Sequence, residues 1–372
     1  MSHSASASVF HHFATITDPR VNRQKKHQLP DIFFITLCAV ISGADNWVMI
    51  EEFGKAKEAW FTEQLDLRHG IPSHDTFGDV FAAIDNEQFS TCFSNWITDL
   101  AELTSGEVIA IDGKTVRRSV DKASGKAAIH MVSAWAQQNS LVLVQVKVDD
   151  KSNEITAIPK LLKQLDLTGT VVTIDAMGCQ TAIAEQIIEQ KGDYVLSLKG
   201  NQGNLHDDVK TWFTSTLAPA VGAVDIDGGH GRIETRSVQA SNNIEWLKER
   251  HPDWSGLRSI IAVTATRELK DKTETETRYF ISSLDGHDPA RLGKAVRAHW
   301  SVENNLHWVL DVAFDEDQNR TRMGNSAANL AVVRHAALNL IKNEKSSKVG
   351  VKNKRAKAGW DNQFLLKILG MI

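Results

Sequence analysis

Cysteine is scarce in this chain: Cys38, Cys92 and Cys179 are three in number and far apart. An odd, scattered set argues against a disulfide framework and against a cysteine-type zinc site, and it suits a reducing compartment. Long hydrophobic runs are missing too. The longest, Ile32 to Ala44, spans 13 residues and includes Thr36, Ser42 and Gly43, short of the roughly 20 that a membrane-spanning helix needs. The first residues carry Ser, Ala and His with no basic stretch leading into an apolar one, so a secretory signal is not expected. No internal repeat or low-complexity segment is present.

The 372 residues are 42% hydrophobic and 24% charged, the balance of a folded globular protein with two or three domains. The net charge of -4 hides an uneven distribution. Residues 1–30 set Arg20, Arg23, Lys25 and Lys26 against Asp18, and residues 342–372 set eight basic residues against Glu344 and Asp361. A basic head and tail on an acidic body can contact phosphates locally while the molecule stays near neutral; solvated basic tails are the plainer alternative.

Residues 30–100 read as helical. Ile32, Ile35, Ala39 and Val40 recur at helical spacing, as do Trp47, Ile50 and Phe53 after the break at 43–45. Ser73 caps a third helix with Phe77, Val80, Phe81 and Ile84 on one stripe. Past Gly106 the pattern becomes three strands (108–111, 129–135, 141–148), a helix near Leu161, a strand at 171–174, a helix over 181–190 and a strand at 194–198. Short connections make the opening strands antiparallel, and the later alternation indicates a mixed sheet with helices on it. Residues 225–285 read as a β-rich insertion of turns and short strands. Asp288-Pro289 then starts a long helix to about Leu310, and a last helix covers about Ala327 to Leu340.

Two aspartates stand at the ends of apolar strands: Asp112 after Val-Ile-Ala-Ile and Asp175 after Val-Val-Thr-Ile. Ends of neighbouring strands lie about 5 Å apart, so the two carboxylates can share a metal. In the helix from Pro289, Glu303 falls on the apolar stripe of Leu292, Ala295, Val296, His299, Leu306 and Leu310. A Glu turned to a core needs a cation or an ion pair, for which Arg297 and Lys199 are candidates. His299, Glu303 and His307 are spaced for a helical zinc site but lack the His-Glu-x-x-His order. Asp315-x-Asp317-x-Asn319 begins like a calcium loop, yet Arg320 replaces the required Gly.

The chain resembles the DDE transposases of bacterial insertion sequences, and within them the branch of H-repeat-associated proteins found beside Rhs elements. The likeness covers nearly its whole length. It rests on Ile-Asp-Gly-Lys-Thr at 111–115, Thr-Ile-Asp-Ala-Met at 173–177 and Leu-Lys-Gly-Asn-Gln at 198–202. Arg-Ala-His-Trp-Ser-Val-Glu-Asn at 297–304 and Leu-His-Trp-Val-Leu-Asp-Val-Ala-Phe at 306–314 complete it.

The resemblance implies an α/β fold with a ribonuclease-H-like (retroviral-integrase-like) catalytic core. That core would span 105–345 with a β-rich insertion at about 222–286, after a small helical, DNA-binding domain at 1–100 and before a basic C-terminal tail at 346–372. It implies Asp112, Asp175 and Glu303 as catalytic, metal-binding residues for two Mg²⁺ ions, with Mn²⁺ as a substitute. The expected activity is binding of element ends, DNA strand cleavage and strand transfer. Partners would be double-stranded DNA, as terminal repeats and target, and a second copy in a homodimer or larger assembly. The location would be cytoplasmic and nucleoid-associated, with no membrane. A non-catalytic DNA-binding copy and a nuclease of the same fold are the alternatives. Many relatives carry Tyr-x-x-Arg-x-x-x-Glu-x6-Lys around the glutamate; here Val296, His299 and Leu310 occupy the first, second and last of those positions. DNA contacts are therefore sought among Lys114, Lys199, Arg297, His299, Arg23, Lys25 and Lys26.

Overall fold

The structure, a computed structural model, describes residues 5–21, 25–101, 103–120, 125, 127–149, 152–215, 220–229, 232–269 and 272–372. Six helices come first: α1 (Ala5–Phe13), α2 (Leu29–Ile41), α3 (Trp47–Ala56), α4 (Glu58–Thr62), α5 (His74–Ala83) and α6 (Asn86–Leu100). Three of them begin at side-chain caps that satisfy otherwise orphaned amides: Asn46 accepts from Met49 N–H, Ser73 from Thr76 N–H and Asp85 from Gln88 N–H. Aromatic rings fill the space between them. Phe13 stacks on Phe33 at 4.3 Å between centroids, and Phe89 meets both edge-on.

The sheet follows: β1 (Val108–Thr115), β2 (His130–Ala136), β3 (Leu141–Lys147), α7 (Glu154–Leu162), β4 (Val171–Ile174), α8 (Thr181–Glu189), β5 (Asp193–Leu198) and α9 (Asn204–Thr214). After these come β6 (Val221–Gly229), β7 (Arg232–Ser241), α10 (Glu245–Arg250), β8 (Ser259–Leu269) and β9 (Lys272–Ser282). All nine strands form one mixed sheet in the order β3-β2-β1-β4-β5-β9-β8-β7-β6. β1, β4 and β5 are parallel neighbours, and the other pairings are antiparallel. The β-rich segment differs from expectation in length: its strands run 9–11 residues and extend the sheet through β9 on β5. Their outer halves are polar and threonine-rich, which blurs the apolar alternation that marks a strand.

Along β4, Val171 packs to one side of the sheet and Val172 to the other, so both faces are covered. One face carries α7 and α8. The other carries a long helix built of α11 (Pro289–Val302), a π turn (Glu303–His307) and α12 (Trp308–Phe314). Asp288 caps α11 by accepting from Arg291 N–H at 2.9 Å. α13 (Ser326–Asn343) packs against α2, α5, α6 and β3, joining the first helices and the sheet in one continuous core. Its Asn339 closes the β3 edge: the side-chain amide accepts from Val142 N–H and donates to Val142 C=O, both at 2.9 Å.

Beyond residue 346 the chain is not a solvated basic tail. It forms α14 (Val351–Trp360) and α15 (Asn362–Leu369), which bury Phe364, Leu365, Ile368 and Leu369. Two of its basic residues are interior. Lys354 donates to the Ile341 carbonyl at 3.1 Å. Arg355, 3% exposed, donates to Val40 C=O twice, at 3.0 and 2.8 Å, to Asp45 Oδ1 at 2.8 Å and to the Ala313 carbonyl, over the ring of Phe314. A guanidinium supplies five donors in a rigid fork, which is what several carbonyls at different helix ends require. Arg355→Met should destabilise the protein by about 3–5 kcal/mol, because Asp45 and the carbonyls lose their buried partner. Denaturant unfolding at neutral pH measures it, and a loss well under 1 kcal/mol would show that water replaces the guanidinium.

Candidate active site

The parallel register places Ile111 beside Ile174, so Asp112, which lies within β1, and Asp175, just past the end of β4, follow at the same level. Both line a cleft of about 280 Å³ together with Glu303, Thr173, Lys199, Arg278, His299 and Trp300. Asp175 Oδ1 accepts from the amides of Met177 and Gly178 at 3.0 and 3.3 Å, which turns the chain sharply after β4. The Leu-Lys-Gly-Asn-Gln segment braces that turn: Asn201 donates to Ala176 C=O at 2.7 Å and Gln202 to Cys179 C=O at 2.5 Å.

Glu303 does not face the core as its place on the stripe suggests; it is exposed at the rim of the cleft. The buried line along the helix runs Ala298, Val302, Leu306, Leu310 and Phe314. Steps of four drift about 40° per step around an α-helix. The π turn, in which Trp308 N–H reaches back to Glu303 C=O, takes up that drift. Glu303 thereby sits one residue off the line, on the side of the two aspartates.

Asp112 is the strained member. Its Oδ1 accepts from Gly113 N–H at 2.9 Å, and its Oδ2 lies 3.4 Å from His307 Nδ1. Burial pushes its carboxyl up to about 7, with further repulsion from Asp175, Glu154 and Glu303. Gly113 leaves room beside it for a side-chain pair: a Cβ there would stand 2.2 Å from Glu154 Oε1 and 2.4 Å from His130 Nε2 and displace them. Those two side chains pair at 2.6 Å. The helical zinc arrangement does not form. His299 turns Nδ1 to Thr173 Oγ1 at 3.2 Å while His307 turns to Asp112, and burial lowers the pKa of both rings.

Several residues sought as DNA contacts are committed elsewhere. Lys114 points inward to Asp311 at 2.5 Å, Asp317 at 3.2 Å and Glu316 at 3.6 Å. Arg297 binds Asp225 at 2.5 Å and Asp227 at 2.7 Å, fastening β6 to α11. Lys25 pairs with Asp18 at 3.0 Å, Lys26 is exposed, and Arg23 lies outside the described residues. Lys199 is exposed at the cleft. Sequence reasoning missed Arg278, which reaches the cleft from β9, pairs with Glu276 and lies 4.3 Å over the Trp300 ring. Its strand alternation was visible, but only the sheet order brings β9 beside β5. The Asp315–Asn319 stretch makes internal contacts: Asp317 with Lys114 and Arg117, and Asn319 with the Asp45 carbonyl.

Residues 103–340 match the model of the transposase DDE domain, and residues 10–97 match that of the DDE_Tnp_1-associated segment. The chain belongs to the DDE transposase family. It is 42% identical over 370 residues to the putative transposase YncI of Escherichia coli O157:H7, covering 97% of this chain and 94% of that one. It is 40% identical over 365 residues to the H repeat-associated putative transposase YhhI of Escherichia coli K12, covering 96% of each. Among solved structures it is similar to piggyBac transposase in a synaptic complex with hairpin DNA, at a TM-score of 0.47 and 11% identity over 97% of this chain and 78% of that one. Among the described residues, no helix of this DDE transposase is long and apolar enough to cross a membrane.

The three carboxylates line the walls of the cleft; among the described residues no three metal-ligating groups meet at one point. Their chemistry nonetheless fits a hard divalent cation. The donors are all oxygen, and the pKa of Asp112, raised by burial and further by its carboxylate neighbours, marks a charge that a cation would stabilise. The sign follows from linkage. The native carboxyl titrates near 7 and an unfolded one near 4, so stability falls as pH rises through that window and the cost is fully present above it. Asp112→Asn should remove this slope and stabilise the metal-free chain by about 1–3 kcal/mol at pH 8 while changing little at pH 4. Urea unfolding at the two pH values measures it; equal effects at both would mean the carboxyl is not strained.

Proposed function

We propose that this chain is a catalytically competent DNA transposase with a ribonuclease-H-like core, in which Asp112, Asp175 and Glu303 hold two Mg²⁺ ions. The reading is carried by one observation: carboxylates from three separate stretches of chain line a single cleft that Lys199 and Arg278 also line. The ions would activate a water or a 3′-hydroxyl and stabilise the leaving oxygen at the scissile phosphate. Mn²⁺ would substitute for Mg²⁺ on the same oxygen donors.

The chain's own groups would divide the remaining work. Lys199 and Arg278 would take the non-reacting oxygens of the DNA backbone across the cleft from the carboxylates. Trp300, held by Arg278, would keep that guanidinium aimed. His299, neutral and turned to Thr173, would pack the floor without adding charge. The first step would be nicking at the ends of the element, and the second the attack of the freed 3′-hydroxyl on target DNA. The helices of residues 1–100, with Lys25 and Lys26, and the surface lysines of α14 would hold flanking double-stranded DNA, and two or more copies would bring the ends together.

The test is a strand-nicking and joining assay with labelled terminal repeats, run with Mg²⁺ and with Mn²⁺. Asp112→Ala, Asp175→Ala and Glu303→Ala should each lower nicking by orders of magnitude. Affinity for DNA should stay level or rise slightly, since each removes a negative charge from the cleft. Lys199→Ala and Arg278→Ala should instead weaken binding, each reducing the salt slope by about 1. A Glu303→Ala protein that nicks at the full rate would refute the assignment. Nicking without joined products would make the chain a nuclease.

A further inference from the structure

His307 has no place in the reading so far, yet it touches the strained carboxylate. It closes the π turn, and its ring is largely buried with Nδ1 3.4 Å from Asp112 Oδ2. Nε2 is buried and has no hydrogen-bond partner among the described residues. It borders a void of about 10 Å³ that His335 and Ser133 also line. Of the two ring nitrogens, then, Nδ1 is the one with a polar group to serve. The ring sits among Lys114, His130 and His299 as well as Asp112. A neutral ring carries a single N–H, and a carboxylate can only accept.

We propose that His307 is a positioning residue for Asp112: its Nδ1–H donates to Oδ2 while the Gly113 amide holds Oδ1, and together they set the rotamer of the carboxylate. The proposal rests on the reading of Asp112 as a metal ligand. Its logic is that of partners behind metal ligands elsewhere, which fix orientation and are worth about 10–100-fold in metal affinity. Lys114, two residues along β1 from Asp112, is held by Asp311, Glu316 and Asp317. The π turn is part of the device, since it supports both Glu303 at its start and His307 at its end.

Three substitutions in the full-length chain separate orientation from packing. The amide nitrogen of Asn reaches about where Nδ1 lies, that of Gln about where Nε2 lies, and Leu fills space only. Mn²⁺ binding without DNA, followed by electron paramagnetic resonance, should weaken by about 10–100-fold in His307→Leu and His307→Gln. It should stay within a few-fold of the unmutated chain in His307→Asn. Nicking should follow the same order. Imidazole ¹⁵N resonances of the metal-free protein should show the Nδ1–H tautomer. Mn²⁺ affinity unchanged in His307→Leu, or lost equally in the Asn and Gln variants, would overturn the proposal, as would a proton found on Nε2. If His307→Leu fails to fold, the Asn and Gln pair decides. Asp112→Ala tells the two failures apart: if it binds Mn²⁺ as tightly as the unmutated chain, the metal reading falls and the positioning role with it. If it loses Mn²⁺ while His307→Leu does not, the positioning role alone falls.

Discussion

A single buried guanidinium is the joint on which the parts of this protein meet. Arg355 stands in α14, yet its donors end on the last turn of α2, on Asp45 after it and on the C-terminal end of α12. Those carbonyls are the orphaned ends of helices and must find donors somewhere. The same end of α12 leads into the segment whose Glu316 and Asp317 surround Lys114 of β1. Arg334 of α13 reaches both Glu316 and the Asp45 carbonyl. The charges form a chain from the first helices to the strand that carries Asp112, and each cation in it is spent on structure.

That spending explains the division of charge at the cleft. Lys114, the cation two residues along β1 from Asp112, is neutralised by Asp311, Glu316 and Asp317. Burial is the main reason the Asp112 carboxyl is raised, and Asp175, Glu154 and Glu303 add repulsion to it. The cations that do face the cleft are Lys199, just after β5, and Arg278 in β9. Carboxylates and cations line one cleft, an arrangement suited to holding a metal and a phosphate side by side.

Much of this was legible in the linear order of residues. The caps at Ser73 and Asp288, the strands that bear Asp112 and lead to Asp175, and the helix bearing Glu303 all announce themselves through local chemistry, although β1 runs on past Asp112 to Thr115. Local chemistry could not reveal the π turn, because the steps 298, 302, 306, 310 and 314 are acceptable in either helix and only packing chooses between them. Nor could it distinguish a basic residue that binds a ligand from one that is buried: Lys114 and Arg355 look solvent-bound until Asp311 and Val40 are seen beside them. Arg278 was hidden for a third reason. Its strand enters the cleft only because β9 pairs with β5, a contact between residues more than eighty positions apart.

The place of Arg355 also has a bearing on how the protein is made. Val40, Asp45 and Ala313, the groups it holds, all precede it in the order of synthesis. A growing chain can wind its first helices and pair its strands, but the ends of α2 and α12 stay unjoined until α14 has emerged. Until then the nascent protein carries open carbonyls and an uncovered Phe314 ring where the finished one has a closed joint. An interrupted copy that stopped short of residue 355 would hold every carboxylate of the cleft and still lack the clasp that brings its two halves into register.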